Sequence, residues 1–176
     1  QHMINRYAAG TTIKDRCQHH NYMTIYTATM LAFATGIRPI VDPSITVSRI
    51  DPVTGFIAIS DKDGPDEYHA RLIWIPDLIK TQLHAYEAHK QKLFIFLKTE
   101  VGASPPEHWT FFLLDNDHPA PAGRVKKYRP KFIKPIVSDV FPFASNVNRL
   151  YIRTFLTESN IPPEAIDAVM GHWQHG

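Results

Sequence analysis

A single cysteine, Cys17, stands in this chain of 176 residues. That excludes an internal disulfide and fits a reducing compartment. No apolar run reaches the roughly 20 residues a membrane helix needs. The opening residues Gln1-His2-Met3 show no charged-then-apolar leader pattern. Strong net charge is missing as well. Nineteen Lys and Arg against seventeen Asp and Glu leave +2, which by itself announces no nucleic-acid partner. Ligand-like histidine spacing is lacking: His84, His89, His108 and His118 read as surface residues, and His19 and His20 beside Cys17 have no second ligand cluster. There is no internal repeat and no low-complexity segment. The length suits one domain with a proper core.

What is present is unevenly spread. Arg124, Lys126, Lys127, Arg129, Lys131 and Lys134 fall close together with few acids among them. Such a run is usually a solvated face, and it would also suit phosphate-backbone contacts. Tyr22, Ile25, Tyr26, Met30 and Phe33 at helical spacing predict a helix from about Tyr22 to Thr35, ended by Gly36. Ile45 to Ile50, Phe56 to Ser60 and Ala70 to Ile75 read as three short strands divided by turn-rich separators. Ile57 and Ile59 share the packed face of that sheet. Pro76 opens a helix to about Gln91, with Leu78, Ile79, Leu83 and Tyr86 as its apolar stripe, and Lys92 to Leu97 can either extend it or break away. Trp109 to Leu114 is a compact apolar run that periodicity leaves open between strand and buried helical turn. A helix is expected near Pro130 to Val140. Another starts at Ser145 or Asn146, both good N-caps. A last one begins at Pro162-Pro163, turns Ile166 and Val169 inward and stops at Gly171. The expected fold class is mainly α with a small three-stranded antiparallel β-sheet, in a single domain over residues 1–176.

Three short segments stand out against this background: Thr35-Gly36-Ile37-Arg38, Asn146-Val147-Asn148-Arg149 and Met170-Gly171-His172, with Lys62 in the turn Asp61-Lys62-Asp63-Gly64. Dispersed cations that a fold can gather suit one task, which is to hold a phosphate and the charge that develops on it. Arginine stays charged and donates two parallel hydrogen bonds. Each residue also has a plainer reading. Arg38 can be a surface residue past a helix end, and Lys62 a solvated turn residue. Asn146 can be an N-cap, and His172 a histidine favoured by a helix C-terminus. Arg149 lies on an otherwise apolar helix face, where a charge needs a partner. Arg153, one turn on, is its rival.

In order and spacing, these segments resemble the catalytic domain of the tyrosine recombinases, the phage-integrase family, from about residue 20 to the end. Thr35-Gly36-Ile37-Arg38 is similar to the family's helix-ending turn, and Lys62 sits in the matching β-turn. Asn146-Val147-Asn148-Arg149 lies where a His-x-x-Arg motif belongs. From Arg149 to Met170-Gly171-His172 the spacing matches without a gap, with Thr154, Leu156, Glu158 and Ile166 at positions that often carry the same types. The resemblance implies that Arg38 and Arg149 clamp a scissile DNA phosphate. Lys62 would protonate the leaving 5′ oxygen, and His172 would hydrogen-bond a non-bridging oxygen. Asn146 takes the place of a histidine; it can donate a hydrogen bond but not accept a proton at neutral pH. Asp42 resembles the acid that buttresses the first arginine, one place later than usual. No metal and no cofactor is implied, because cations and protons come from side chains.

The family's nucleophilic tyrosine follows its Gly-His motif, whereas the last tyrosine here is Tyr151. The expectation is therefore a piece of a site-specific recombinase or integrase, without the tyrosine segment and without the N-terminal DNA-clamping domain. This chain alone would neither cleave nor rejoin DNA. Its expected partner is double-stranded DNA, with tetramers on DNA for the full-length protein and a monomer for this chain. The expected location is the cytoplasm, on nucleoid DNA, with no membrane association. The alternatives are a type IB topoisomerase or telomere resolvase, a non-catalytic DNA-binding relative of the same fold, and a helical domain unrelated to DNA.

Overall fold

The computed structural model describes residues 4, 5, 8, 10–38, 51, 54–60, 70–105, 109–115, 117–129, 144 and 146–172. Its central element is a helix, α1 (Ile13–Thr35), of 23 residues. Thr12 caps it by accepting the Asp15 amide at 3.1 Å. At its far end Gly36 takes the left-handed conformation (φ 62°), and its amide returns to the Ala32 carbonyl. A side chain at position 36 would also press against Ile152 Cδ1 at 3.3 Å. The helix begins earlier than its apolar spacing predicts. The buried stripe Cys17, His20, Thr24, Ala28, Leu31 and Thr35 has helical period but is largely polar in its first half.

The strands β1 (Phe56–Ser60) and β2 (Ala70–Trp74) pair antiparallel, with Ile57 opposite Ile73 and Ile59 opposite Arg71. Ile57 and Ile59 are fully buried, as the alternation requires, while Phe56, Leu72 and Trp74 on the other face are exposed. The expected third strand, Ile45 to Ile50, lies outside the described residues. Helix α2 (Asp77–Phe96) follows Pro76 and runs on into one π-helical turn, Leu97–Val101, past the expected end at Gln91. Ile79 and Tyr86 of its expected stripe are buried, but Leu78 is exposed.

The run before Leu114 resolves as a strand, β3 (Phe112–Leu114), paired antiparallel with β4 (Val125–Lys127). Part of the basic run is thus a strand. Among the described residues the molecule is mainly helical, with two two-stranded antiparallel sheets. Alternation along β3 divides it between two clusters. Phe111 and Leu113 join Ile25, Leu31, Ile57, Ile59, Ile75 and Tyr86, whereas Phe112 and Leu114 join Cys17, Leu93, Leu97 and Val125. Asn21 ties α1 to β3, donating to the Leu114 carbonyl at 2.8 Å and accepting its amide at 2.7 Å.

Two short helices complete the described chain, α3 (Val147–Glu158) and α4 (Pro163–Met170). Ile166 is buried as expected, but Val169 is exposed and Met170 takes the inward place. Gly171 ends α4 with φ 70°. The helix expected near Pro130 to Val140 falls outside the described residues. No described helix is long and apolar enough to cross a membrane.

Candidate functional site

The end of α1 is where the dispersed residues meet. A helix C-terminus exposes carbonyls without intrahelical partners and carries partial negative charge. The last turn of α1 holds no basic residue of its own. Cations arrive instead from β2 and α3. Arg149 on α3 donates from Nη1 to the Gly36 carbonyl at 2.6 Å and from Nη2 to the Met170 carbonyl at 2.8 Å. Its Nη2 also lies 3.2 Å from His172 Nε2. One guanidinium therefore joins the turn after α1, the end of α4 and the expected histidine.

That last contact assigns a tautomer. Arginine only donates, so His172 Nε2 accepts and the neutral ring carries its proton on Nδ1. Nδ1 faces Asp167 Oδ1 at 3.7 Å. The His172 amide also returns to the Asp167 carbonyl at 2.8 Å, which holds the ring's backbone in place. Arg153, the rival to Arg149, is an exposed side chain whose Nη2 stands 3.9 Å from the same carboxylate.

Of the expected site residues, the structure brings Arg149 and His172 into direct contact. It places Arg38, half-buried, two residues beyond the glycine whose carbonyl Arg149 holds. Asn146 occupies the N-cap position of α3, but its side chain makes no capping bond, so only its backbone carbonyl serves the helix, accepting the Arg149 and Leu150 amides. Lys62 and Asp42 lie outside the described residues. Tyr151 points elsewhere, its ring 5.7 Å from Phe33 and 6.3 Å from Phe155.

Two residues of the cluster escape sequence reasoning. Asn148 is buried and donates from Nδ2 to the carbonyls of Ala32 and Ile37, both at 3.0 Å. Arg71 is buried on the inward face of β2 and donates from Nη2 to the carbonyls of Thr35 at 3.3 Å and Gly36 at 3.4 Å. The signal for Arg71 was available: a charge at an inward strand position, in register with Ile59. Nothing in the sequence marks Asn148.

Other candidates resolve into structural roles. Arg124 of the basic run donates to the His118 and Val101 carbonyls. Lys126 pairs with Asp115 at 2.5 Å and, chiefly through that hydrogen bond, holds the Asp115 carboxyl below its usual range. Lys131 and Lys134 lie outside the described residues. Burial pushes the Cys17 thiol up to about 11, away from the thiolate that binds metals or attacks. His89 is not the surface residue expected; its Nε2 lies 3.2 Å from Nδ1 of the fully buried His20. Among the described residues no group of three or more His, Cys, Asp or Glu could hold a metal ion. Comparison of the chain with family models, with curated proteins and with solved structures finds no match.

Proposed function

We propose that this chain grips the phosphate backbone of double-stranded DNA with Arg38, Arg149 and His172, as the catalytic domain of a tyrosine recombinase or integrase does. The observation that carries the reading is the meeting of Arg149 with both the Gly36 turn, which leads into Arg38, and His172. Three motifs far apart in sequence supply one small region, in the order the resemblance implies. The Arg149 fork, held by the carbonyls of Gly36 and Met170, is fixed before a phosphate arrives, so little reorganisation of it remains when charge develops there. Lys62 would supply the proton for a leaving oxygen. A compartment shared with DNA follows from the reading, as does assembly on DNA.

A second reading is the non-catalytic DNA-binding relative. It is favoured by the use Arg149 makes of its donors, which reach two main-chain carbonyls and a histidine within the protein. The absence of a side-chain role for Asn146 at the helix cap leaves that residue equally open to either reading.

Fluorescence anisotropy with a labelled mixed-sequence duplex tests both. Each phosphate that a cation no longer neutralises lowers the slope of log K against log salt by about 0.9. Under the catalytic-site reading, Arg38→Ala and Arg149→Ala each reduce the slope by roughly that amount. Under the second reading, Arg38→Ala reduces it and folded Arg149→Ala keeps the wild-type slope. Binding that neither substitution alters rules out a DNA-gripping role for this site.

A further inference from the structure

Three side chains gather the consecutive carbonyls that close α1. Arg71 takes those of Thr35 and Gly36, Arg149 shares that of Gly36, and Asn148 takes that of Ile37. Arg38 is the next residue. We propose that Arg71 is a positioning residue of the phosphate grip: it sets the path of the Gly36-Ile37 turn, and with it the place from which Arg38 reaches. The inference rests on the DNA reading above and adds to it a residue that neither the motifs nor their spacing supplies.

Burial separates Arg71 from any direct role. With 6 % of its surface exposed, it cannot lie on a DNA backbone. Its position is firm because β2 is tied into a five-residue ladder with β1 and its inward neighbours Ile57 and Ile59 are fully buried. The strand therefore offers a rigid platform from which one guanidinium nitrogen, Nη2, meets two successive carbonyls. Lysine in its place keeps the charge but lacks the planar, pre-organised head that holds this nitrogen in position. Arg71 and Arg149 also meet on one oxygen, that of Gly36, so the setting of one guanidinium constrains the other. Sites on rigid elements hold their groups more closely than sites on loops, and here a loop residue, Arg38, borrows rigidity from a strand.

The test is a double-mutant cycle on duplex binding by the whole chain, with the same labelled mixed-sequence duplex. Arg38→Ala is expected to weaken binding roughly tenfold or more, the size of one charge-assisted hydrogen bond. Arg71→Met is expected to weaken it similarly and to lower the salt slope by about 0.9, although its charge never reaches DNA. The double variant then binds within about twofold of Arg38→Ala alone, because one effect acts through the other. Arg71→Lys recovers part of the loss. Multiplying effects, or wild-type binding by Arg71→Met, overturns the proposal while the DNA reading stands. If circular dichroism shows that neither Arg71→Met nor Arg71→Lys folds, Arg71 serves stability and the proposal is overturned. If Arg38→Ala and Arg149→Ala leave binding unchanged, the DNA reading itself fails and this inference falls with it.

Discussion

The Arg149 guanidinium stands 2.6 Å from the Gly36 carbonyl oxygen, across 113 positions of sequence. The same group reaches the Met170 carbonyl at 2.8 Å. The turn after α1, helix α3 and the end of α4 are thus pinned by one charged fork. The Gly36 carbonyl belongs to the negative end of α1, where a cation is favoured. Removing the fork takes the Met170 carbonyl's arginine partner and leaves the Gly36 carbonyl with only the longer contact from Arg71, both on buried residues.

The expected outcome for Arg149→Ala is a loss of about 2–3 kcal/mol in unfolding free energy, the sum of two partly exposed charge-assisted bonds. Arg149→Lys keeps the charge but not the fork and is expected to lose about half as much. Urea unfolding checks this: the midpoint falls while the slope m is unchanged. A shift below about 0.5 kcal/mol would mean that the tie is idle.

Asn148 offers a sharper chemical contrast. Its amide nitrogen donates to two carbonyls, and the Ile37 residue it serves is itself buried. Asn148→Ala is expected to cost about 2 kcal/mol, because the buried Ile37 carbonyl loses its donor while the Ala32 carbonyl keeps only the Gly36 amide. Asn148→Asp is worse at neutral pH, since a carboxylate only accepts and would face two carbonyl oxygens. Protonation turns the carboxyl into a donor. The gap in thermal midpoint between Asn148→Asp and wild type therefore narrows as pH falls, and a gap that widens instead contradicts this account.

These two residues also mark how far the sequence could be read. The helix-ending glycine, the strand Phe56–Ser60 and the stop at Gly171 were legible, because a positive φ and a period-2 alternation leave local traces. The meeting of Arg149 with His172 was implied only by the resemblance, and periodicity and composition carry no trace of it. The start of α1 was not legible, since His20 and Thr24 fill core positions that an apolar count assigns to solvent. The exposures of Leu78 and Val169 depend on which neighbours a helix finds, which spacing alone does not encode. Asn148 and Arg71 are legible only in three dimensions: each is defined by carbonyls contributed from another part of the chain.

The buried histidine of α1 makes stability depend on pH. His20 Nε2 lies 3.0 Å from the Phe112 carbonyl, which can only accept, so this nitrogen carries the proton. His20 Nδ1 then accepts from His89 Nε2 at 3.2 Å. His20 must be neutral for that bond, since a proton on its Nδ1 would destroy it, and a charge on His89 would stand against the buried ring. Burial is the main reason that His20 sits well below its usual range and His89 falls to about 4. Nearby His19, Lys90 and Lys92 push in the same direction. Unfolded histidine titrates at 6.5, so below that pH the unfolded chain binds protons that the folded chain refuses. Stability is therefore complete above pH 6.5 and declines as the pH falls from there toward 4, by up to about 1.4 kcal/mol per pH unit for each histidine. Asp115 has the same sign but acts only below its ordinary value of 3.8, under this window. In His89→Gln the amide can still donate to His20, while one titrating ring is gone. Urea midpoints measured across the window should then fall less steeply than in wild type. Equal slopes for the two proteins would show that the pair does not govern the acid response.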